Sequence, residues 1–361
     1  MHPLYKNYFT RSLFHENNQF DKEINNCFIK NWIFVGMLDQ LPSINTWFTY
    51  EDKNMSLIIT RGKDDRVHAF LNSCMHRGSR ICNSRTGKGP LICPYHNWTY
   101  NCSGKLLGVP KRQGFGSSFD KNNYNLHSFK TEVHGTFIFV QQNNYNSLSL
   151  DDYLSEVSPF LKNISENNPL FLFEIQEEIQ ANWKLVISGA LEDYHIPFVH
   201  KKSIGQYYTS KTEIKLYNNG HSSFSFPIEP NYIMKSILNF LNKEKTEESF
   251  LAKSYSIFPN FLVIKSENII QITRFMPINT KNTLRISRIY FDKSFYSYKL
   301  LKYLSRKLIL PLVRKTYNED KFVVEEVHRG TYYSQDTTSD PTHAQELRIK
   351  HFIEECLNKT K

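Results

Sequence analysis

Two pairs of cysteine and histidine are the residues of this chain whose types and spacing point most directly to chemistry. Cys74 and His76 form a C-x-H pair, and Cys93 and His96 form a C-x-x-H pair shortly after it. Two thiolates and two imidazoles bind either a tetrahedral zinc ion or a [2Fe–2S] cluster with the thiolates on one iron and the imidazoles on the other. Zinc patterns usually pair like ligands, so these mixed pairs favour the cluster, with a structural zinc knuckle as the alternative.

A second candidate site begins with two histidines near the middle of the chain. His195 and His200 are five positions apart, with Pro197 between them. Proline disfavours a continued helix, so we expect His200 to follow a helix end and turn back towards His195. Two imidazoles and one carboxylate on one face of Fe(II) leave the other face open for O₂ and a substrate. A histidine pair alone is weak evidence, and ordinary polar residues are the alternative.

Helical periodicity predicts where the missing carboxylate lies. Pro311 suits the first position of a helix. Asp320 falls in the middle of an apolar face beyond it, whereas Glu319 should point elsewhere. A carboxylate on a buried face is costly unless it is paired or binds a metal, so Asp320 is the candidate third ligand; bonding to a backbone N–H or an arginine is the alternative. The apolar residues at helical spacing on that face are Val313, Tyr317, Val324 and Val327.

The elements that must position these residues divide the chain into two parts. Residues 33–70 alternate in the β manner and further strands reach residue 140, which predicts a small all-β unit around the cysteines. The polar stretch 141–150 marks a domain boundary, and helices and strands mix beyond it, as in the α+β class. The predicted helices lie at 150–161, near 183–196, after Ser294 and after Pro311, and the predicted strands at 222–227, 253–275 and 283–292.

Composition narrows the classes of protein. A chain of 361 residues with 40% hydrophobic residues favours two domains with sizeable cores. The net charge of +10 is spread along the chain, and no nucleic-acid recognition motif is present, which argues against a nucleic-acid-binding protein. The excess of positive charge indicates either an ordinary lysine-rich surface or a patch that binds an acidic electron-transfer protein. The six cysteines form no paired framework, and no signal peptide or membrane-spanning run is visible, so we expect a cytoplasmic protein without membrane contact.

The motifs resemble those of one enzyme family. Residues 74–78 and 93–100 are similar to the CxHRG and CPYHxWxY loops of the large (α) subunits of Rieske non-haem iron oxygenases. Residues 182–200 resemble the NWKxxxENxLExYHxPxxH stretch of that family, and residues 319–330 resemble its EDxxxxExVQxG ending. Even residues 32–42 resemble its N-terminal W-x-x-V-G…DQLP stretch. The chain is identified as a member of this aromatic ring-hydroxylating oxygenase family, nearest to the choline and carnitine monooxygenases.

The resemblance implies an α+β fold in three segments. Residues 1–32 would pack on the catalytic domain, 33–143 would form an N-terminal all-β Rieske [2Fe–2S] domain, and 144–361 would form an α+β catalytic domain with a curved antiparallel sheet and a long C-terminal helix. It also implies the metal ligands. The cluster would be held by Cys74 and Cys93 on one iron and by His76 and His96 on the other, and a mononuclear Fe(II) by His195, His200 and Asp320.

The resemblance assigns Glu192 a role in electron transfer. Glu192 is expected on one helix with His195, three residues earlier, so that the two side chains share a face. In the family the acid at this position joins the mononuclear site to a cluster histidine of the next subunit, here His96 of the partner subunit. That implies a head-to-tail ring, most simply a homotrimer. Asp193, rotated by about 100° around the helix, is the rival acid, and a solvated surface role for Glu192 is the alternative.

The function implied is that of a terminal oxygenase. It would take electrons from a separate reductase or ferredoxin and use O₂ to hydroxylate or demethylate a small organic substrate, with a quaternary or methylated amine favoured. The alternatives are a ring-hydroxylating dioxygenase or demethylase of an aromatic acid, a Rieske electron-transfer protein without oxygenase activity, and a zinc-stabilised binding module.

Three departures from the family pattern stand out. Asn97 replaces a glycine, Ser188-Gly189 replace Glu-Asn, and His328 replaces a glutamine. None removes a predicted ligand, but the change at 188–189 puts the subgroup's substrate in doubt.

Overall fold

The computed structural model describes the chain as two compact units. The first, which we call the β unit, is Phe28–Tyr153, and the second, the α+β unit, combines Met1–Cys27 with Leu154–Lys361. The described residues are 10–52, 55–142, 148–205, 212–227, 251–266, 269–292, 299–333 and 343–361. Ser294, where one helix was predicted to begin, lies outside them.

Ten short strands build the described part of the β unit. They are β1 (Ile33–Met37), β2 (Thr46–Glu51), β3 (Ser56–Arg61), β4 (Val67–Leu71), β5 (Thr86–Lys88), β6 (Leu91–Ile92), β7 (Thr99–Tyr100), β8 (Leu106–Gly108), β9 (Ser128–His134) and β10 (Phe137–Gln141). The larger sheet has the order β1-β10-β9-β4-β3-β2-β5, and β6-β7-β8 form a small second sheet. The alternation of apolar and polar residues, from which the strands were predicted, appears in β2 as an alternation of buried and more exposed side chains, whereas every side chain of β1 is buried. The predicted all-β N-terminal part is confirmed.

Seven further strands form one antiparallel sheet in the described α+β unit. They are β11 (Leu170–Ile179), β12 (Glu213–Leu216), β13 (Ser222–Pro227), β14 (Leu251–Ile257), β15 (Phe261–Ser266), β16 (Ile269–Asn279) and β17 (Asn282–Phe291). Their order is β11-β17-β16-β15-β14-β13-β12. Strands β12 to β17 each lie beside their neighbours in sequence through simple antiparallel returns, whereas β11 pairs with β17 and not with β12. The predicted α+β class is confirmed.

The α-helices of the described residues are mostly short. They are α1 (Arg11–His15), α2 (Asn17–Glu23), α3 (Leu150–Leu154), α4 (Ser158–Glu166), α5 (Trp183–Ser188), α6 (Ile196–Val199), α7 (Lys299–Tyr333) and α8 (Leu347–Thr360). Where the structure describes the chain, none of them combines the length and the apolar character needed to cross a membrane.

Helix α5 is fixed to α2 by a buried ion pair. Lys184 Nζ lies 2.5 Å from Glu23 Oε2, and both side chains are almost fully buried. The indole N–H of Trp183 donates to the same carboxylate oxygen at 2.9 Å. Because breaking one partner would leave the other charge buried alone, this contact holds α5, and the segment that follows it, in one place.

The predicted helix over 183–196 is wrong beyond Ser188. Helix α5 ends there, and a non-helical stretch leads to α6. The carboxylate of Glu192 accepts a hydrogen bond from the backbone N–H of His195 at 3.1 Å, which replaces the bond that a continued helix would make. His195 and His200 flank α6 at its two ends, so His200 does follow a helix end, as Pro197 predicted.

The predicted helix start at Pro311 is also wrong, because Pro311 lies inside the 35-residue helix α7. An interior proline removes one backbone hydrogen bond and costs about 3 kcal/mol. Apolar side chains on both sides of it offset that cost by packing against a core of β11 and β17. From α7 this packing involves Ile309, Leu310, Val313 and Tyr317.

Candidate metal centres

The first cysteine–histidine pair lies in a loop after β4, which we call the first ligand loop (residues 72–82). Asn72 closes this loop from inside: its amide oxygen accepts from the backbone N–H groups of Ile81 and Cys82 at 3.0 and 2.9 Å. The backbone N–H of Gly78 returns to the carbonyl of Cys74 at 2.8 Å, with Gly78 at a φ of 72°. The loop therefore holds its shape through local hydrogen bonds.

The second ligand loop (residues 93–98) joins β6 to β7 in a similar way. The N–H of Cys93 donates to the carbonyl of Trp98 at 2.9 Å, and the N–H of Asn97 donates to the carbonyl of Cys93 at 3.0 Å. Asn97 has a φ of 57°, in the left-handed region. Asparagine tolerates this region better than most residues, so Asn97 can stand where the family pattern has glycine.

The structure brings the four predicted cluster residues together. The Nδ1 atoms of His76 and His96 lie 3.2 Å apart, and Cys74 and Cys93 are buried in one cluster with Trp98. The ring of His76 stacks on Trp98 with centroids 4.9 Å apart. Two buried thiols and a pair of adjacent imidazoles around the same tryptophan suit a [2Fe–2S] cluster with mixed ligands.

Tyr100 is a functional candidate that the sequence patterns did not single out. Its hydroxyl accepts from the backbone N–H of Met75 at 3.2 Å and lies 3.3 Å from Cys74 Sγ. Because the backbone donor occupies the hydroxyl oxygen, the O–H is free to donate to the sulfur. Burial raises the pKa of Tyr100, which keeps this donor protonated. Hydrogen bonds to the sulfurs are one of the factors that set a cluster's potential.

The second centre is the group His195, His200 and Asp320, which we call the His–His–Asp triad. One ligand atom from each of the three residues lies within 4.8 Å of the others. Asp320 Oδ1 lies 2.9 Å from His200 Nε2 and 3.6 Å from His195 Nε2. His200 is buried, whereas Asp320 and His195 are partly exposed. This set of two imidazoles and one carboxylate fits a mononuclear Fe(II) with open positions.

Mutual electrostatics hold the triad together. Burial lowers the pKa of His195, but hydrogen bonds with Asp320 and Glu192 outweigh it and raise that pKa to about 10. Burial likewise raises the pKa of Asp320, and the two histidines outweigh it and lower that pKa to about 2. Asp320 is therefore ionised at neutral pH, as a carboxylate ligand must be.

A glutamate lies on the outer nitrogen of each triad histidine. Glu192 Oε1 contacts His195 Nδ1 in a short hydrogen bond, and Glu319 Oε2 lies 2.9 Å from His200 Nδ1. Glu192 reaches its histidine from a loop rather than from the predicted helix face. Glu319 points away from the shared metal position, as expected, but its contact with His200 was not predicted. Carboxylates in this position orient a ligand histidine and increase its basicity.

Asp193, the rival of Glu192, faces a different part of the α+β unit. It is almost fully buried, accepts from Gln345 Nε2 at 2.9 Å, and accepts a short hydrogen bond from the hydroxyl of Thr212. The two neighbouring acids therefore have separate partners, and Glu192 alone of the two touches a triad histidine.

The Ser188-Gly189 departure lies where α5 approaches α7. A Cβ atom at Gly189 would come within 3.0 Å of Val324 Cγ2. Val324 is one turn after Asp320 on α7, so the absence of a side chain at Gly189 lets the two helices approach beside the triad. Ser188 itself is buried.

Comparison with known proteins agrees with both centres. Residues 31–130 match the Rieske [2Fe-2S] domain. Residues 164–360, more than half of the chain, match the ring hydroxylating alpha subunit (catalytic domain). A Rieske domain followed by this catalytic domain defines the large subunits of Rieske oxygenases. The chain belongs to the ring hydroxylating alpha subunit family.

Two of the similar proteins are named for glycine betaine and for carnitine. The glycine betaine monooxygenase oxygenase subunit of Pseudomonas aeruginosa is 33% identical over 49% of this chain and 41% of its own length. The carnitine monooxygenase oxygenase subunit of Acinetobacter pittii is 25% identical over 89% of this chain and 84% of its own length. This chain thus covers less than half of the glycine betaine protein.

A solved structure shows the shared fold. The quaternary ammonium Rieske monooxygenase CntA superimposes with a TM-score of 0.81 and 22% identity, covering 98% of this chain and 94% of that one.

Proposed function

We propose that this protein is the terminal oxygenase component of a Rieske-type non-haem iron oxygenase system. It would use O₂ and electrons from a separate reductase or ferredoxin to hydroxylate or demethylate a small organic substrate. The observation that carries the proposal is the convergence of the His–His–Asp triad in a chain that also has converging cluster residues. An electron-transfer Rieske protein would have no use for the triad.

The proposed ligands follow from the two sets of donors. When bound, the cluster would supply electrons one at a time and the mononuclear Fe(II) would activate O₂. Asp320 would contribute the negative charge, and His195 and His200 would supply the two imidazole ligands of such an iron. The proposed cluster ligands are Cys74, His76, Cys93 and His96, and the proposed ligands of the mononuclear iron are His195, His200 and Asp320.

Glu192 is the proposed link between the two centres. Its carboxylate touches His195 Nδ1 and is not needed as a metal ligand. We propose that it also bonds His96 of the partner subunit, which requires a head-to-tail ring, most simply a homotrimer. Exposed aromatic side chains support such an interface: Phe198 is 71% exposed close to Glu192 in sequence, and Tyr95 is 58% exposed and stacks on His96 in the β unit.

For the substrate we favour a quaternary or methylated amine. The glycine betaine and carnitine relatives support this class. The change at Ser188-Gly189 lies beside the triad and is the reason to test the alternative, dihydroxylation or demethylation of an aromatic acid. We also propose the domain limits given above, with an N-terminal segment at 1–32, a Rieske domain at 33–143 and a catalytic domain at 144–361. A cytoplasmic location is likewise a proposal.

The decisive experiment is a substrate screen scored by O₂ uptake. Purified protein with a generic reductase is given glycine betaine, carnitine, choline or an aromatic acid such as benzoate, and product is identified by mass spectrometry. Uptake with a betaine supports the favoured class, whereas uptake only with the aromatic acid establishes the alternative. Iron and sulfide analysis with EPR after reduction is run on the same sample. A sample with zinc and no cluster, or with a cluster but no mononuclear iron, would overturn the oxygenase assignment.

A further inference from the structure

Glu319 makes two hydrogen bonds through one carboxylate oxygen. Its Oε2 atom lies 2.9 Å from His200 Nδ1 and 2.5 Å from the hydroxyl of Ser203. Glu319 stands next to Asp320 on α7 but is 119 positions from His200 in sequence. One turn of helix α7 thus carries the triad carboxylate and, beside it, the carboxylate that faces the outer edge of a triad histidine.

With a metal at the triad, this contact would place the single proton of a neutral His200 ring on Nδ1. An imidazole that donates from Nδ1 to a carboxylate keeps its Nε2 lone pair free. Nε2 is the nitrogen that lies 2.9 Å from Asp320 Oδ1, at the shared metal position. Glu319 therefore favours the tautomer of His200 that can bind a metal in the triad, and it prevents rotation of the ring.

The loop after α6 is built around the same contact. The backbone N–H groups of Ser203 and Gly205 both donate to the carbonyl of His200, at 2.9 and 2.8 Å. A Cβ atom at Gly205 would lie 2.8 Å from the carbonyl oxygen of Ile196, so only glycine fits this tight turn. The turn buries Ser203 and directs its hydroxyl to Glu319.

Helix α7 bonds to this loop at a second point. Lys315, one turn before Glu319, donates a short hydrogen bond from Nζ to the backbone carbonyl of Lys202. The loop that carries His200 is thus tied to α7 at His200 and Ser203 through Glu319 and at Lys202 through Lys315. Such a double attachment restricts the position of the imidazole more than one hydrogen bond could.

We propose that Glu319, supported by Ser203, is a positioning residue that presents His200 Nε2 to the mononuclear metal. The proposal rests on the proposed function, because it assumes that the triad binds Fe(II). It gives Glu319 a task separate from that of Glu192, which supports the other histidine and is the proposed link to a second subunit. Loss of an outer-shell carboxylate typically costs 10–100-fold in metal affinity.

The test measures metal affinity rather than turnover. Full-length protein that retains its cluster is stripped of mononuclear metal and titrated with Co(II), whose visible absorption reports ligand geometry. Glu319→Ala should weaken Co(II) binding by about 10–100-fold and change the absorption bands. Glu319→Gln, which can still accept from His200, should restore part of the affinity, and Ser203→Ala should have a smaller effect than Glu319→Ala. Glu326→Gln is the matched control, since Glu326 is exposed on the same helix and paired with Arg329.

The outcomes separate this proposal from the one on which it rests. Wild-type affinity and absorption in Glu319→Ala would overturn the positioning role. Wild-type Co(II) binding in Asp320→Ala would instead mean that the triad is not the metal site. If Glu319→Ala fails to fold, judged by loss of the cluster absorption and of cooperative unfolding, Ser203→Ala decides: unchanged affinity and unchanged absorption bands in that variant overturn the proposal.

Discussion

The two candidate metal centres differ in how far along the chain their residues are separated. The cluster residues come from two neighbouring loops, each closed by hydrogen bonds within a few residues. The His–His–Asp triad joins the two ends of α6 to a helix more than a hundred residues later. The first centre requires only that small hairpins form, whereas the second requires that α7 pack correctly on its sheet.

The centres also differ in what surrounds their histidines. Each triad histidine donates to a carboxylate of its own unit. In the part of the β unit that the structure describes, no carboxylate bonds to His76 or His96, whose rings contact each other and aromatic side chains. The triad therefore has carboxylates of its own unit on both histidines, whereas the described part of the β unit supplies none to the cluster histidines.

The largest effect is expected from a variant that disrupts the triad and leaves the cluster intact. Asp320→Ala removes the only carboxylate of the triad, so we expect loss of the mononuclear iron and of detectable substrate-dependent O₂ uptake. The EPR spectrum of the reduced cluster should stay unchanged, because its residues lie in loops that close locally. The reciprocal variant, His96→Ala, should lose the cluster spectrum and still bind Co(II) at the triad. Full activity in Asp320→Ala would refute its role.

The second prediction tests the link between the centres. Glu192→Gln should keep both metals and the oligomer but slow electron transfer from cluster to iron, measured by single-turnover absorption changes. Loss of a charge-assisted hydrogen bond worth about 3 kcal/mol would lower the rate of electron transfer by roughly a hundredfold. Asp193→Asn is the matched control, because Asp193 bonds to Gln345 and Thr212 instead. If the Asp193 variant is the slow one, the assignment is wrong by one residue.

The third prediction concerns the stability of the unit that holds the triad. His328 on α7 stacks on His15 with ring centroids 4.5 Å apart. Burial, and then the nearby His15, Lys281 and Lys184, lower the pKa of His328 to about 4. As the pH falls below about 6.5, the unfolded chain takes up this proton before the folded protein does. The free energy of unfolding should therefore fall by on the order of 3 kcal/mol between pH 6.5 and 4.

Urea unfolding at pH 7.5, 6 and 5 checks this prediction. His328→Gln should flatten the pH dependence, whereas His127→Gln, which changes an exposed histidine of the β unit, should leave it as in the wild type. Equal pH slopes for wild type and His328→Gln would show that acid destabilisation has another source.

The smallest expected effect concerns tuning within the cluster loops. Tyr100→Phe removes the hydroxyl that lies 3.3 Å from Cys74 Sγ. A hydrogen bond to sulfur favours the reduced cluster, so its loss should lower the reduction potential. A net bond energy of about 1.4 kcal/mol corresponds to roughly 60 mV for one electron. Protein-film voltammetry measures the shift, and Tyr124→Phe is the control, because Tyr124 packs edge-on against Trp98. An unchanged potential in Tyr100→Phe would show that Tyr100 does not tune the cluster.

Local patterns allowed much of the fold and of both centres to be predicted. Strand alternation over residues 33–70 identified β1 to β4, and the loops with the cysteine pairs were recognisable because their donors are close in sequence. The apolar face around Asp320 singled out that residue over its neighbour Glu319. Prediction failed where packing overrode local preference: Pro311 is a poor helix-interior residue, yet α7 continues through it because apolar side chains on both sides are buried.

The sequence by itself therefore determined the types of donor, their order along the chain and the class of fold. Only the tertiary structure decided which outer groups support them. Glu319 bonds His200 across 119 positions, the hydroxyl of Tyr100 lies beside Cys74 Sγ, and Glu192 bonds His195 from a loop and not from the predicted helix. Ligand types follow from short-range spacing, which the chain carries locally. Outer hydrogen bonds depend on the positions of helices and strands relative to each other, which the burial of apolar side chains sets during folding.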